Sequence, residues 1–236
     1  MERITCSGPI LIKFAPLKLA KSFRSGTIYM NSLDYFRGLE DDNKVRGDLL
    51  EGTHSLIAKD DFSQVLPQFG MDFPEAIKKK IIGGIHLLDE ELKYYKVFCM
   101  YQLNCDFKSR YIEPIDTRVN NFGDTFVLIF NLKEFRRRIV AELEKGTYNA
   151  LGFAGQGVEY YQYDTSTQKL GPLKKLDLYK WQNEYRLIAE PLEHTLDPLI
   201  LNIGDISDIS IIGSTSRLIE EIHFEGKELF VPGYNL

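Results

Sequence analysis

Glu184 and Arg186, two residues apart in Tyr179-Lys-Trp-Gln-Asn-Glu-Tyr-Arg186, have the spacing that puts a carboxylate and a guanidinium on one face of a strand, with Tyr185 and Leu187 on the other. Such a carboxylate can stabilise positive charge developing at a reacting centre, and the guanidinium can grip a phosphate or a second carboxylate. The same pair equally suits a cross-strand ion-pair network. The segment also carries the only tryptophan, Trp181. A second polar concentration lies earlier, where the apolar run Thr27 to Met30 ends in Asn31-Ser32. The chain then passes Arg37 and Glu40 to Arg46-Gly-Asp48-Leu-Leu-Glu51, supplying two arginines and at least four carboxylates. That density is high for a connector and reads as a binding loop, with a solvated charged loop as the plainer alternative.

Other residue types offer less. His54, His86, His194 and His223 share no helical spacing and have no cysteine pair nearby, so no metal site is expected. Cys6, Cys99 and Cys105 lack C-x-x-C spacing, and Cys99 sits in the apolar run Val97 to Tyr101 as a small buried thiol. Gly152-Phe-Ala-Gly155-Gln-Gly157 could form a phosphate-contacting turn, but it lacks the strand-to-helix setting and a following Lys-Ser or Lys-Thr, so an ordinary loop is expected.

The elements positioning these residues follow from periodicity. Ile10 to Phe14 reads as a strand, Leu17 to Phe23 as an amphipathic helix and Thr27 to Asn31 as a second strand. Further strands are predicted at Tyr95 to Leu103, Thr125 to Asn131, Gly157 to Tyr163, Tyr185 to Ala189, Leu199 to Ile203, Ile206 to Ile212 and Glu228 to Val231. Helices are predicted over Leu132 to Lys145 and Ser216 to Phe224. Residues 60–92, interrupted by Gly83-Gly84, read as helical pieces forming an insertion or lid. Hairpins mixed with helices predict a single α+β domain over 1–236, built on a mixed, largely antiparallel sheet with flanking helices.

Composition sets the outer limits. The 236 residues are 44% hydrophobic and 27% charged, an ordinary globular balance able to bury a core. A net charge of -5 argues against a phosphate-neutralising nucleic-acid surface. Arg136-Arg137-Arg138 lies beside Glu134, Glu142 and Glu144, as on a solvated helix face. With no leader or apolar run of membrane length in the sequence, a cytoplasmic protein without a membrane partner is expected.

Several segments carry a resemblance in a fixed order. Leu11-Ile-Lys-Phe14 is similar to a strand written "lyKy"; Ile28 to Ser32 and the loop to Gly52 are similar to "fs.p..fNDpfE", with Asp48 and Glu51 as its acidic pair. Phe98-Cys-Met-Tyr101 matches "isCFs", Lys180 to Arg186 resembles "W..E.EwR", and Ile209 to Gly213 resembles the terminal "i..iiiG". Taken in order, these segments resemble a large bacterial and phage family known as a domain of unknown function. Asn-Asp-Pro is absent here, and Gln182 replaces the first glutamate of the usual E-x-E. A broader resemblance is to the ADP-ribosyltransferase fold, which implies NAD or a related nucleotide as ligand. It places Lys13, Tyr29 or Ser32, and Glu184 around that ligand: Tyr29 stacked on a ring, Ser32 bonded to a ribose, and Glu184 facing the anomeric carbon.

Two functions are therefore expected. One is a nucleotide-binding protein of bacterial or phage conflict systems acting as an NAD-dependent transferase or glycohydrolase. In it Glu184 is catalytic, Lys13, Arg37 and Arg46 meet phosphates, and Tyr29 and Trp181 contact a ring. The other is a non-catalytic sensor or protein-interaction module, in defence or anti-defence, whose ligand or protein partner meets the same cleft of Ser32, Asp48, Glu51 and Arg186. A plainer reading makes Glu184, Arg186, Asp48 and Arg46 fold-stabilising ion pairs.

Overall fold

The computed structural model describes residues 2–4, 8–39, 50–81, 84–146, 148, 150–162 and 166–233; Arg46 and Asp48 lie outside the described residues. In chain order, strand β1 (Glu2–Ile4) precedes β2 (Ile10–Ala15), helix α1 (Leu17–Arg24), β3 (Thr27–Ser32) and α2 (Leu33–Gly38). Strands β4 (Thr53–Ala58) and β5 (Gly84–Leu88) enclose the short helices α3 (Phe62–Val65) and α4 (Glu75–Lys78). Next come β6 (Lys96–Leu103), the small hairpin of β7 (Cys105–Asp106) and β8 (Tyr111–Ile112), β9 (Thr125–Ile129), α5 (Leu132–Leu143) and β10 (Ala150–Gly157). The remainder holds β11 (Glu159–Tyr161), β12 (Gln168–Lys169), β13 (Lys174–Leu176), β14 (Glu184–Pro191), β15 (Leu199–Asn202), β16 (Ser210–Ser214), α6 (Thr215–Glu221), β17 (His223–Glu225) and β18 (Glu228–Val231).

Eight strands form the main sheet in the order β10-β14-β6-β2-β9-β16, with β3 pairing β6 and β15 pairing β3. Every pairing in this sheet is antiparallel, and the chain is an α+β fold as the order of elements predicts. The central strands alternate between two buried faces. Leu11, Phe98, Val127 and Leu187 pack with Phe23, Phe135 and Ile139 under α1 and α5. Ile10, Ile12, Phe126, Leu128 and Tyr101 pack on the opposite face with Leu218 of α6 and Leu229 of β18. Burial on both sides explains the apolar run of residues 126–129 in β9, a strand whose five residues are all buried. Each such aliphatic side chain contributes about 1.5–3 kcal/mol by leaving water.

The sheet forks along one edge of β6. The other edge is lined by β14 from Lys96 to Tyr101, but here β3 takes Lys96 and Val97 while β2 takes Tyr101 to Leu103. Residues 98–100 fall between the two. The Cys99 carbonyl exposed by this divergence accepts a 2.7 Å hydrogen bond from Lys13 Nζ, which lies 4.3 Å from the Phe98 ring centroid. The turn from α1 into β3 needs glycine: Gly26 has φ +100°, and a Cβ there would stand 2.1 Å from the Gly204 carbonyl oxygen.

Two expectations are corrected. Gly152 to Gly157, read as a loop, is the strand β10. Its glycine content hid it, because Gly155 lies so close to Tyr185 that a Cβ would meet the hydroxyl at 2.9 Å. Residues 60–92 do hold short helices, but they also contain β5, which with β4 and β12 forms a small separate sheet over Ile57, Phe62, Leu66 and Leu87. The charged face expected on α5 is present: Glu134 pairs with Arg137 and Arg138, and Arg138 also reaches Asp208. Among the described residues, no helix is long and apolar enough to cross a membrane.

Candidate functional site

Among the described residues, four charged side chains converge beside β14, none more than 6% exposed: Glu51, Lys175, Glu184 and Arg186. Alternation along β14 sends Glu184 and Arg186 to the same side, opposite Tyr101 and Cys99 of β6, while Tyr185 and Leu187 join the helix-side core. Arg186 binds Glu51 as a two-pronged fork, with Nη1 to Oε1 at 2.5 Å and Nη2 to Oε2 at 2.7 Å. Its Nε donates to Glu184 Oε1 at 2.8 Å, and Nη1 also donates to the Pro172 carbonyl at 2.6 Å. Lys175 completes the group, donating to Glu184 Oε2 at 3.2 Å and to Gln182 Oε1 at 2.9 Å. Its Nζ lies 4.0 Å from Glu51 Oε2 and 4.7 Å from the Tyr179 ring centroid.

Two cations and two carboxylates balance, and that balance permits their burial. Burial alone would push the Glu184 carboxyl up, yet Arg186 and Lys175 overcome it and hold it well below the usual carboxylate range. Burial likewise opposes the Arg186 charge, and Glu184 and Glu51 more than offset it, raising the guanidinium above its ordinary value. Burial, then the Glu184 carboxylate, pushes the Cys99 thiol far up, so the thiol stays protonated and is no nucleophile at neutral pH. The Tyr160 hydroxyl accepts from the Glu184 backbone N–H at 2.8 Å, holding the start of β14 in place.

Glu51 is delivered by its own scaffold. Arg37, in the last turn of α2, donates through Nε to the Glu51 carbonyl and through Nη2 to the Gly52 carbonyl, the latter at 3.1 Å. Gly52 has φ +66° and carries the chain past Leu33 and Arg37 into β4. Thus Arg37 grips the backbone at 51–52 while Arg186 grips the Glu51 side chain, fixing this turn from two directions.

The expected site residues are therefore divided. Glu51, Glu184 and Arg186 meet directly, and Arg37 supports them through the backbone. Lys13 points to the helix-covered face at the fork, sharing the parity of Leu11 and Ala15. Ser32 shares that face as well, following Ile28 and Met30, and its hydroxyl accepts from Tyr35 N at 3.2 Å as the N-cap of α2. Tyr29 stands on the Glu184 side, about half exposed at 49%, opposite Ile200 of β15. Trp181 stacks on Phe122 at 5.6 Å, with the Arg118 guanidinium 4.6 Å from its ring, over the α6-side core. Of the expected grouping of Lys13, Tyr29 or Ser32, and Glu184, strand parity places Tyr29 on the Glu184 side and Lys13 and Ser32 on the opposite face. A surface pocket of about 420 Å³, lined by residues such as Gln102, Asn104, Cys105 and Tyr111, includes none of the expected site residues.

Sequence reasoning missed Lys175, Tyr160 and the role of Gln182. Lys175 sits in Lys174-Lys175, where only alternation in β13 distinguishes the buried lysine from its partly exposed neighbour. Gln182 carries its own signal: where a glutamate would give the cluster an unbalanced negative charge, a neutral amide accepts from Lys175. No protein-family model, curated protein or solved structure matches this chain.

Proposed function

We propose that this chain is a non-catalytic sensor or protein-interaction module that binds its partner without breaking a bond. Its assignment to bacterial or phage conflict rests on the resemblance of the Lys180 to Arg186 and Leu11 to Phe14 segments. The observation that carries the non-catalytic reading is the Glu184 carboxylate: one oxygen accepts from Arg186 and the other from Lys175, behind 6% exposure. A carboxylate so held is spent on internal charge balance and is poorly placed to meet an anomeric carbon.

The test is calorimetry and product analysis of the purified full chain with NAD and related nucleotides, alongside Glu184→Gln. The expected outcome is no nicotinamide release by either protein and a lower melting temperature for the variant. Nicotinamide release by the wild type, lost in a folded Glu184→Gln protein, overturns the proposal. That result would favour the second reading, NAD-dependent transfer or glycohydrolysis. One observation supports this alternative: Tyr29 of β3 and Glu184 of β14 lie on the same side of the sheet, on the two strands that flank Lys96 and Val97 of β6.

A further inference from the structure

The two ends of the main sheet path differ sharply. At one end β16 has four of its five residues buried. At the other, among the described residues β10 pairs only with β14, and none of its eight residues is buried; Leu151 is 64% exposed. Natural sheets guard such an edge with charge, proline or irregularity. β10 has one irregularity, between Ala150 and Gly152, and from there to Gly157 its register with β14 is continuous. Residues 146–158 contain no charged residue and no proline, in a chain that is 27% charged. Val158 donates its N–H to the Glu184 carbonyl, so antiparallel alternation turns the N–H and C=O groups of Phe153, Gly155 and Gly157 away from β14. Two of those three are glycines, which leaves the backbone open to approach.

We propose that β10 is a self-association edge, at which two copies of this chain pair antiparallel across a two-fold axis and join their sheets. The strand suits itself: an uncharged sequence meets no like charge in its copy, and antiparallel pairing is compatible with two-fold symmetry. Its flanks offer one opposite-charge pair. Lys145 precedes the strand and Glu159 follows it, with side chains 62% and 70% exposed, and each also pairs within its own chain, to Glu142 and Lys174. An antiparallel copy runs Lys145 of one chain toward Glu159 of the other, with Glu144 next to Lys145 in sequence. A contact built on one strand is small, so the dimer is reversible and concentration-dependent.

Sedimentation equilibrium of the full chain from micromolar to millimolar concentration tests this, with the double variant Ala154→Lys/Gln156→Lys, both positions exposed, placing like charges along the edge. The wild-type mass should rise toward twice the 27.2 kDa of the chain, and the variant should dissociate on the order of tenfold more readily. Amide exchange on the wild type serves if the variant fails to fold: Phe153, Gly155 and Gly157 should gain protection as concentration rises. A wild-type monomer throughout, a dimer unchanged in a folded variant, or concentration-dependent protection confined to other strands overturns the proposal.

Discussion

Replacing Glu51 by glutamine keeps its size and removes one charge from a group that depends on neutrality. In the native protein Arg186 and Lys175 face Glu51 and Glu184; in the variant two cations face the Glu184 carboxylate alone. Arg186 is 1% exposed and Glu51 2%, so water cannot screen the imbalance. Removing one partner of a buried pair costs about 3–5 kcal/mol, against about 5–15 kcal/mol for the whole stability of a typical domain. At about 2–4 °C per kcal/mol for a chain of this size, the melting temperature should fall by about 6–20 °C. Circular dichroism followed on heating reads the melting temperature and in urea the free-energy loss, with an unchanged m-value marking a true stability effect. Gln182→Glu supplies the sharper control, because Gln182 already accepts from Lys175. Alone it adds an unbalanced negative charge and should destabilise. Combined with Glu51→Gln it restores neutrality, and the double variant should be more stable than the sum of the single effects by about 1–2 kcal/mol. A Glu51→Gln cost below about 1 kcal/mol, the range of an exposed pair, would refute the reasoning, as would strict additivity in the cycle.

Acid should unfold the protein through the same cluster. Glu184 titrates well below its ordinary value of 4.5 in the folded state, so its contribution is fully present above that value and is lost as pH falls toward the folded one. Stability measured between about pH 3 and 5 should therefore fall more steeply in the wild type than in Glu184→Gln, by up to about 1.4 kcal/mol per pH unit; equal slopes would contradict this. Ser32→Ala removes the N-cap of α2 and should cost about 1 kcal/mol in urea unfolding, with any larger loss pointing to a second role for the hydroxyl. Cys99, whose thiol is held protonated by burial and by Glu184, should resist iodoacetamide at neutral pH until the protein unfolds, and mass spectrometry of the labelled peptides reads this directly; rapid native labelling of Cys99 would contradict it.

The sequence by itself determined the α+β class and most of the central sheet, because short runs rich in apolar, branched and aromatic residues, such as those within Ile10–Ala15 and Glu184–Pro191, report buried strands without reference to any partner. It also determined that Glu184 and Arg186 share a side of their strand, a consequence of the two-residue period alone. Tertiary structure decided what they meet. Glu51 lies 135 positions from Arg186, and nothing local specifies that the turn after α2 folds back onto β14. Lys175 is told from Lys174 only by which face of β13 the core covers. The sheet fork decided the fate of Lys13: it donates to a carbonyl that is exposed because β2 and β3 part company along β6. Strand parity then separated Lys13 and Ser32 from Glu184, since residues legible as a set in sequence share a site only if their strands present the same face. β10 escaped detection for the opposite reason: glycine lacks the side-chain pattern by which strands are read, and only pairing with β14 reveals it.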